Sequence, residues 1–211
     1  RLIAFRLWVH CYGGNSRGHM TTGKDGRAEP TDVDLMQRVR RGDAEAFACL
    51  YRRYHRKILN FFYAMGAGPS FSEDLCQETL LRLWRLRARY EPRGSFAAYL
   101  FAVARYVWME RRTEIYRAMA GRPELNEETD AAAPGLEPDA MASRSEAAEA
   151  IARAVAALPD EQRMAFVLRT VQGLPLEEIA EAMDCPVNTV RSRKLLAVRK
   201  LREVLRGLLT L

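Results

Sequence analysis

Apolar side chains recur at three- and four-residue spacing along most of the chain, and this period predicts helices rather than strands. Glycine, proline and capping residues divide the pattern into separate segments. The predicted helices cover residues 32–41, 44–65, 70–90, 95–117, 143–158, 160–172 and 176–183, and a last one begins near residue 187. No stretch shows the two-residue period of a strand. We therefore predict an all-α fold.

Short polar side chains mark where several of these helices begin. Asp43 is expected to cap the second helix and Ser95 the fourth. For the third helix, Ser70 with Glu73 three residues later forms a capping-box pattern, and Ser72 competes with Ser70 as the cap.

The helical period stops between residues 121 and 143, where Ala, Pro, Glu and Asp dominate and acidic residues outnumber basic ones. Such a composition is typical of a flexible linker, because it offers too little apolar surface to bury. We therefore predict two small, loosely tethered helical domains at 32–117 and 145–211, joined by an acidic linker at 118–144.

Residues 1–31 are expected to be disordered or to include positions upstream of the natural start. The apolar stretch 2–9 is interrupted by Arg6 and is followed by no small-residue cleavage site, so a signal peptide is not expected. No apolar run approaches the roughly 20 residues that a membrane-spanning helix needs.

The most informative stretch is Gly173–Leu201, which contains two helices in close succession. The first helix has an apolar stripe and ends at Asp184-Cys185-Pro186, because proline cannot continue a helix. Two helices joined by so short a turn are typical of a helix-turn-helix, whose second helix lies in the DNA major groove. The stripe of the first helix is Leu176, Ile179, Ala180 and Met183, and that of the second is Val190, Ala197 and Leu201.

The charge of the second helix separates DNA binding from the alternative, a helical hairpin with a solvated basic face. Between residues 187 and 206 seven side chains are basic and only Glu203 is acidic, whereas a solvated helix usually carries both signs. The chain as a whole has a net charge of +6 and a pI near 9.3, which fits a polyanionic partner.

Aromatic and arginine residues are interleaved between Tyr90 and Arg117, as in surfaces that stack single-stranded bases and follow the backbone with cations. The alternative is that most of these rings are core, and we accept it for Phe96 and its neighbours on the same stripe. Tyr106 and Trp108 cannot both lie on that stripe, so at least one of them is expected to face outward.

A third candidate surface is polar and acidic. Asp74, Gln77 and Glu78 stand at i, i+3 and i+4 and therefore share one helix face. This face is either an ordinary solvated surface or a docking site for another protein.

The sequence gives no sign of catalysis or of a metal site. It contains no phosphate-binding Gly-Lys-Ser/Thr loop, no His-Glu-x-x-His and no Gly-x-Ser-x-Gly. The four cysteines lie far apart without zinc-ligand spacing, and reduced thiols in the cytoplasm are the default expectation. Cys49 and Cys76 fall in apolar helical patterns and are expected to be buried. We expect a protein that is not an enzyme and carries no cofactor.

With these motifs in place, the chain resembles the extracytoplasmic-function (ECF) sigma factors, the smallest class of bacterial RNA polymerase sigma subunits. Residues 72–84 resemble the clamp-binding helix of the family, and residues 94–105 resemble its promoter-melting segment. Residues 158–163 and 177–193 resemble its C-terminal domain. The resemblance implies an all-helical sigma-two domain, with four helices, and a sigma-four domain with the helix-turn-helix.

The resemblance also implies roles for the three surfaces. Asp74, Gln77 and Glu78 would dock on the beta-prime clamp helices of core RNA polymerase. The recognition helix would read the minus-thirty-five element as duplex through Thr189, Arg191, Ser192, Arg193, Lys194 and Arg199. The minus-ten base and the non-template strand would be captured by Arg93, Tyr99, Arg105, Tyr106, Arg111 and Arg112. Other implied partners are the beta flap, promoter DNA and an anti-sigma factor, and the implied location is the cytoplasm.

Two departures from the family pattern bear on base preference. Tyr106 stands where members usually carry Asn, so the amide's paired donor and acceptor are absent. Lys194 and Leu196 exchange the apolar and basic characters usual at their positions. The competing hypotheses are a stand-alone helix-turn-helix regulator and, more weakly supported, an RNA-binding protein.

Overall fold

The computed structural model describes residues 29–120 and 150–208, and its regular elements within these ranges are helices. The predictions for residues 1–28 and 121–149, including most of the linker, lie outside the described residues. The helices are α1 (Asp32–Arg40), α2 (Ala44–Ala64), α3 (Pro69–Arg85), a 3-10 turn (Arg87–Arg89), α4 (Phe96–Ala120), α5 (150–156), α6 (Asp160–Thr170), α7 (Leu176–Met183) and α8 (Val187–Leu208).

Two of the predicted caps are present in the N-terminal domain. The Asp43 side chain accepts a hydrogen bond from Ala46 N, 3.0 Å away, and Ser95 Oγ accepts one from Ala98 N at 3.1 Å. Each cap satisfies one of the backbone N–H groups that the first turn of a helix leaves without a partner. These caps set where α2 and α4 begin.

The cap predicted for α3 is wrong. This helix begins at Pro69 with Gly68 as N-cap, because proline fits the first helical position, where its missing N–H costs no hydrogen bond. Ser72 is fully buried inside the helix, and its hydroxyl donates to Ala67 O at 3.1 Å.

The helix-turn-helix prediction is confirmed in the C-terminal domain. The helix α7 ends at Asp184, whose φ of 49° places it in the left-handed region and turns the chain toward α8. The stripes that join α7 and α8 are buried as expected, with Ile179, Val190 and Ala197 each at 0% exposure. This packing fixes the direction in which the polar face of α8 points.

The two domains contact each other in the described part of the chain. The helix α4 of the N-terminal domain packs against α7 of the C-terminal domain, and the buried side chains of both belong to one apolar cluster. Arg163 on α6, only 4% exposed, donates to Met65 O at the end of α2. A linker pattern in the sequence carries no information about this contact, which depends on surface complementarity between helices far apart in the chain.

Candidate nucleic-acid and polymerase interfaces

The beginning of α8 presents polar side chains to solvent. Arg191 and Ser192 are exposed, and both are held by Asn188: Arg191 Nη1 donates to Asn188 Oδ1 at 3.2 Å and Ser192 Oγ donates to Asn188 O at 3.0 Å. The hydroxyl and guanidinium groups keep further donors free for an acceptor such as a base edge or a phosphate. The first turns of α8 are therefore a preformed polar surface.

Other predicted residues of α8 are less open. Thr189, Arg193 and Lys194 are half-buried. Arg193 Nη1 lies 2.8 Å from Glu161 Oε2 on α6 and 3.4 Å from Cys185 Sγ. The predicted site on this helix is thus divided, since some of its cations face solvent and one is bound to an acidic residue of its own domain.

The far part of α8 carries a mixed surface. Arg199 is exposed and pairs with Glu203 at 3.3 Å, one turn further along the helix. Leu195 and Leu196 are also exposed, at 68% and 44%. These apolar side chains interrupt the cationic surface.

The helix α4 separates its aromatic residues as the sequence predicts. Trp108 is completely buried, whereas Tyr106 is 59% exposed and lies beside Arg82 of α3, whose guanidinium is 5.4 Å from the ring centroid. Arg82 also bonds Glu110, and this hydrogen bond lowers the pKa of the Glu110 carboxyl. The exposed ring of Tyr106 is therefore oriented by charged neighbours and remains available for stacking.

The segment before α4 contributes one exposed cation and one packed ring. Arg93 is exposed and pairs with Glu91 at 2.5 Å. Tyr99 is half-buried with its ring centroid 5.0 Å from that of Tyr90, and burial raises the pKa of the Tyr99 hydroxyl. Between Arg93 and Tyr99, Gly94 adopts a φ of +76°, a conformation that other residues rarely take.

The three arginines of α4 that were predicted as strand contacts pair with carboxylates. Arg111 Nε donates to Glu114 at 2.7 Å on the same helix. Arg112 Nη1 lies 3.1 Å from Asp160 Oδ2, and Arg105 Nη2 lies 3.6 Å from Glu161 Oε1. Both of these partners belong to the C-terminal domain. Most of the residues predicted for the single strand thus lie on one helix, and two of their arginines pair with the other domain in this structure.

The polar face of α3 lies as predicted, opposite a buried stripe. Asp74 and Gln77 are exposed, while Glu78 is half-buried and accepts a 2.7 Å hydrogen bond from Arg82 Nε. The opposite side of the helix is buried and includes Cys76, whose pKa is raised by burial to about 12. Cys49, which we also expected to be buried, is only half-buried.

Sequence reasoning missed the residues that connect these surfaces, namely Arg82, Asp160 and Glu161. Acidic residues in the first turn of a helix are expected there in any case, because they complement the helix dipole. The sequence therefore contained no signal that Asp160 and Glu161 contact α4 more than 40 residues away.

The described parts of the chain offer little to other kinds of ligand. Among their residues, no group of three or more His, Cys, Asp and Glu side chains is arranged to hold a metal ion. Nor does residue range 29–120 or 150–208 contain a helix with the length and apolar character of a membrane span.

Comparison with known proteins identifies the family. The family model for Sigma-70 region 2 matches residues 50–114, and the model for Sigma-70, region 4 matches residues 148–201. The RNA polymerase sigma-H factor of Pseudomonas aeruginosa is 30% identical over 184 residues, covering 84% of this chain and 95% of that protein. The ECF RNA polymerase sigma-E factor of Escherichia coli K12 is 31% identical over 177 residues, covering 77% of this chain and 88% of that protein.

Solved structures agree with the fold. CnrH, in complex with the cytosolic domain of CnrY, gives a TM-score of 0.62 at 20% identity, covering 83% of this chain and 97% of that one. The sigma factor RpoE of Bartonella quintana, in complex with the anti-sigma factor NepR, gives a TM-score of 0.58 at 23% identity, covering 76% of this chain and 96% of that one.

Two helical domains that match regions 2 and 4, in this order, define a sigma subunit. The chain belongs to the ECF sigma factors, and it is an RNA polymerase sigma factor that acts in transcription initiation.

Proposed function

We propose that this sigma factor binds core RNA polymerase through the polar face of α3 and directs it to promoters that it reads with α8 and α4. The observation that carries the proposal is the distribution of three distinct polar surfaces over three helices of a chain that belongs to this family. A protein that bound only DNA would not need the third polar surface, on α3.

The domain boundaries of the proposal follow the sequence. Residues 32–117 form the part that binds the core enzyme and the minus-ten element, and residues 145–211 form the part that reads the minus-thirty-five element. Residues 118–144 are proposed to connect them as the acidic linker. The helix α4 continues to Ala120, three residues beyond the proposed limit of the N-terminal domain.

On α8, the exposed Arg191 and Ser192 are proposed to contact base edges, because they lie where a helix-turn-helix presents its reading residues. Thr189, Arg193, Lys194 and Arg199 are proposed as further contacts, with Arg199 on the DNA backbone. Arg193 can contribute only after it releases Glu161.

On α4, the exposed Tyr106 is proposed to stack on a minus-ten base that has left the duplex. Flipping a base costs a few kcal/mol, which stacking and cation contacts must offset at roughly 1–3 kcal/mol per base. The backbone cations proposed for this strand are Arg93, Arg105, Arg111 and Arg112, with Tyr99 as a second ring. Tyr106 offers stacking without the paired hydrogen bonds of an amide.

On α3, Asp74, Gln77 and Glu78 are proposed to dock on the beta-prime clamp helices, and the C-terminal domain on the beta flap. The support is their common exposed face and the family membership of the chain. We propose that the protein works in the cytoplasm, contributes binding rather than catalysis and uses no cofactor. An anti-sigma factor is a further proposed partner, since relatives of this fold are found bound to one.

The test is transcription with purified core enzyme on native promoter fragments. We expect a promoter-dependent transcript with the wild-type chain and a much weaker one with Asp74→Ala/Gln77→Ala. Glu45→Ala is the control, because Glu45 is an exposed acidic residue on another helix of the same domain.

The outcome also discriminates the alternative function. A stand-alone helix-turn-helix regulator would use α8 only and need not bind core polymerase in a fixed ratio. Failure of the chain to co-purify with core enzyme, together with no promoter-dependent transcript, would replace the proposal by this alternative.

A further inference from the structure

We propose that Glu161, with Asp160 beside it, acts as an internal substitute for DNA phosphate and holds the free protein closed, with arginines of both DNA-facing surfaces engaged. The polymerase-facing surface of α3 stays open in this form. The inference rests on the proposed function, because it takes these arginines as DNA contacts.

The carboxylate of Glu161 touches both surfaces at once. Its Oε1 lies 3.6 Å from Arg105 Nη2 of α4, and its Oε2 lies 2.8 Å from Arg193 Nη1 of α8. A carboxylate presents to a guanidinium the same charge and acceptor oxygens that a phosphate does. Both contacts are ion pairs, and a DNA phosphate would compete with Glu161 for the same guanidinium charges, so this contact and DNA binding compete.

Asp160 makes the second part of the contact. Its Oδ2 accepts from Arg112 Nη1 at 3.1 Å, and its Oδ1 accepts from the Tyr116 hydroxyl at 2.5 Å. Both donors lie on α4. Burial and this hydrogen bond raise the pKa of the Tyr116 hydroxyl.

A third acidic residue lies against the loop before α4. A Cβ placed on Gly94 would come within 2.2 Å of Glu181 Oε2, so the carboxylate of α7 rests directly on this glycine. The C-terminal domain thus presents acidic groups along the α4 side that the proposed single strand would follow.

The contact between the domains in the closed form is weak enough to be broken. Exposed ion pairs contribute only about 0.2–1 kcal/mol each, so most of the attraction comes from apolar packing of α4 on α7. Arg105 Nε and Glu161 Oε2 are buried without a hydrogen-bond partner in the described part of the chain. Such unpaired polar groups raise the free energy of the closed form and so reduce the cost of separating the domains.

The surface proposed for polymerase binding is not part of this contact. Asp74 and Gln77 are exposed in the closed form, on the far side of α3 from its buried stripe. Core enzyme can therefore bind the closed protein first, and Arg105 and Arg112 of α4 become available when the domains separate. Arg193 pairs with Glu161 inside the C-terminal domain and is not released by the separation itself. This ordering limits DNA binding by the free protein.

The expected size of the effect follows from linkage. The apparent affinity for DNA falls by the fraction of molecules in the open form, so about nine closed molecules in ten weaken binding about tenfold. A loose linker that leaves the two domains unaligned would also weaken binding by the free protein. Changing Glu161 distinguishes the two causes, because it weakens the closed contact and leaves the linker unchanged.

The experiment compares Glu161→Lys with Glu177→Lys. Both residues lie in the first turn of a helix of the C-terminal domain, so the two variants alter net charge and helix-dipole interactions alike. Only Glu161 contacts the arginines of α4 and α8. The readouts are the radius of gyration from small-angle X-ray scattering and the affinity for a fluorescent DNA duplex with a single-stranded overhang.

We expect Glu161→Lys to be more extended than wild type and to bind the DNA on the order of tenfold more tightly, with Glu177→Lys close to wild type in shape. Asp160→Asn, which keeps the shape of the side chain, is expected to shift both readouts in the same direction by less. Unchanged scattering and unchanged affinity in both Glu161→Lys and Asp160→Asn would overturn the proposal.

Failure of this proposal is separable from failure of the proposed function. If wild-type protein directs core polymerase but Glu161→Lys neither opens nor gains affinity, only the internal phosphate substitute is wrong. Glu161→Lys is expected to bind core enzyme like wild type. If it loses core binding in proportion to its opening, the separation of the α3 surface from the closed contact is wrong.

Discussion

The two helices proposed to face DNA, α8 and α4, differ in how their cations are held. On α8 the first turns are open, with Arg191 and Ser192 exposed and supported only by Asn188. On α4 the aromatic Tyr106 is open, but Arg105 and Arg112 are bound by carboxylates of the other domain. The turns proposed to read duplex are open, whereas two of the arginines proposed for the single strand are paired with the other domain.

The difference agrees with what the two surfaces are proposed to do. Duplex DNA is present before transcription starts, so a preformed helix can read it as soon as core enzyme has bound the chain. A single strand exists only after melting, and cations left free on α4 would attract duplex DNA without regard to sequence, because phosphate contacts carry no sequence information. An occupied surface avoids this until the polymerase has been engaged.

The largest expected effect concerns the two faces of α4. Trp108→Ala removes a completely buried ring and is expected to lower the free energy of unfolding by about 3–5 kcal/mol. Tyr106→Ala removes a largely exposed ring and is expected to change it by less than about 0.5 kcal/mol. Chemical denaturation followed by circular dichroism measures both. Equal losses of unfolding free energy in the two variants would mean that α4 does not have one buried and one exposed face.

The next effect concerns the open part of α8. Arg191→Ala is expected to weaken promoter binding by the polymerase complex by about 1–3 kcal/mol and to relax base preference at one position of the minus-thirty-five element. Binding to a set of single-base promoter variants measures both quantities. A much smaller loss with unchanged preference would assign Arg191 to the phosphate backbone or to solvent.

On α4, Tyr106→Ala is expected to weaken binding of a single-stranded minus-ten oligonucleotide by the polymerase complex by roughly 1 kcal/mol, the lower end for one stacked base. Tyr106→Phe is the control, because it keeps the ring and removes only the hydroxyl. Equal losses in the two variants would show that Tyr106 acts through its hydroxyl.

The smallest effect concerns a cation proposed to contact only the backbone. Arg199→Ala is expected to weaken binding about equally for all sequences and to reduce the slope of log affinity against log salt by about 1. A titration of promoter binding from low to moderate salt measures the slope. A sequence-dependent loss would place Arg199 among the base contacts.

Much of the fold was predictable because it depends on local patterns. The apolar stripes of α7 and α8 and the caps at Asp43 and Ser95 are readable within a few residues of sequence. The capping box of α1, between Thr31 and Asp34, has an equally local pattern and was available to the same reasoning. The start of α3 was missed because Pro69 competes with two serines for the same role.

The residues of the candidate sites could be predicted from the sequence, but whether their charged groups are free or paired could not. Sequence pattern places Arg105, Arg112 and Arg193 on the right helices. It cannot show that Asp160 and Glu161 lie against them, since that depends on how α4 and α6 meet in space. Long-range contacts between charged side chains leave no period in a sequence.

The most direct test of the account is a footprint of promoter DNA with the chain alone, with core enzyme alone and with both. The account predicts protection of duplex at minus-thirty-five and permanganate-reactive, unpaired thymines at minus-ten only when chain and core enzyme are present together. Strong protection at minus-thirty-five by the chain alone, with no unpaired thymines when core enzyme is added, would contradict it.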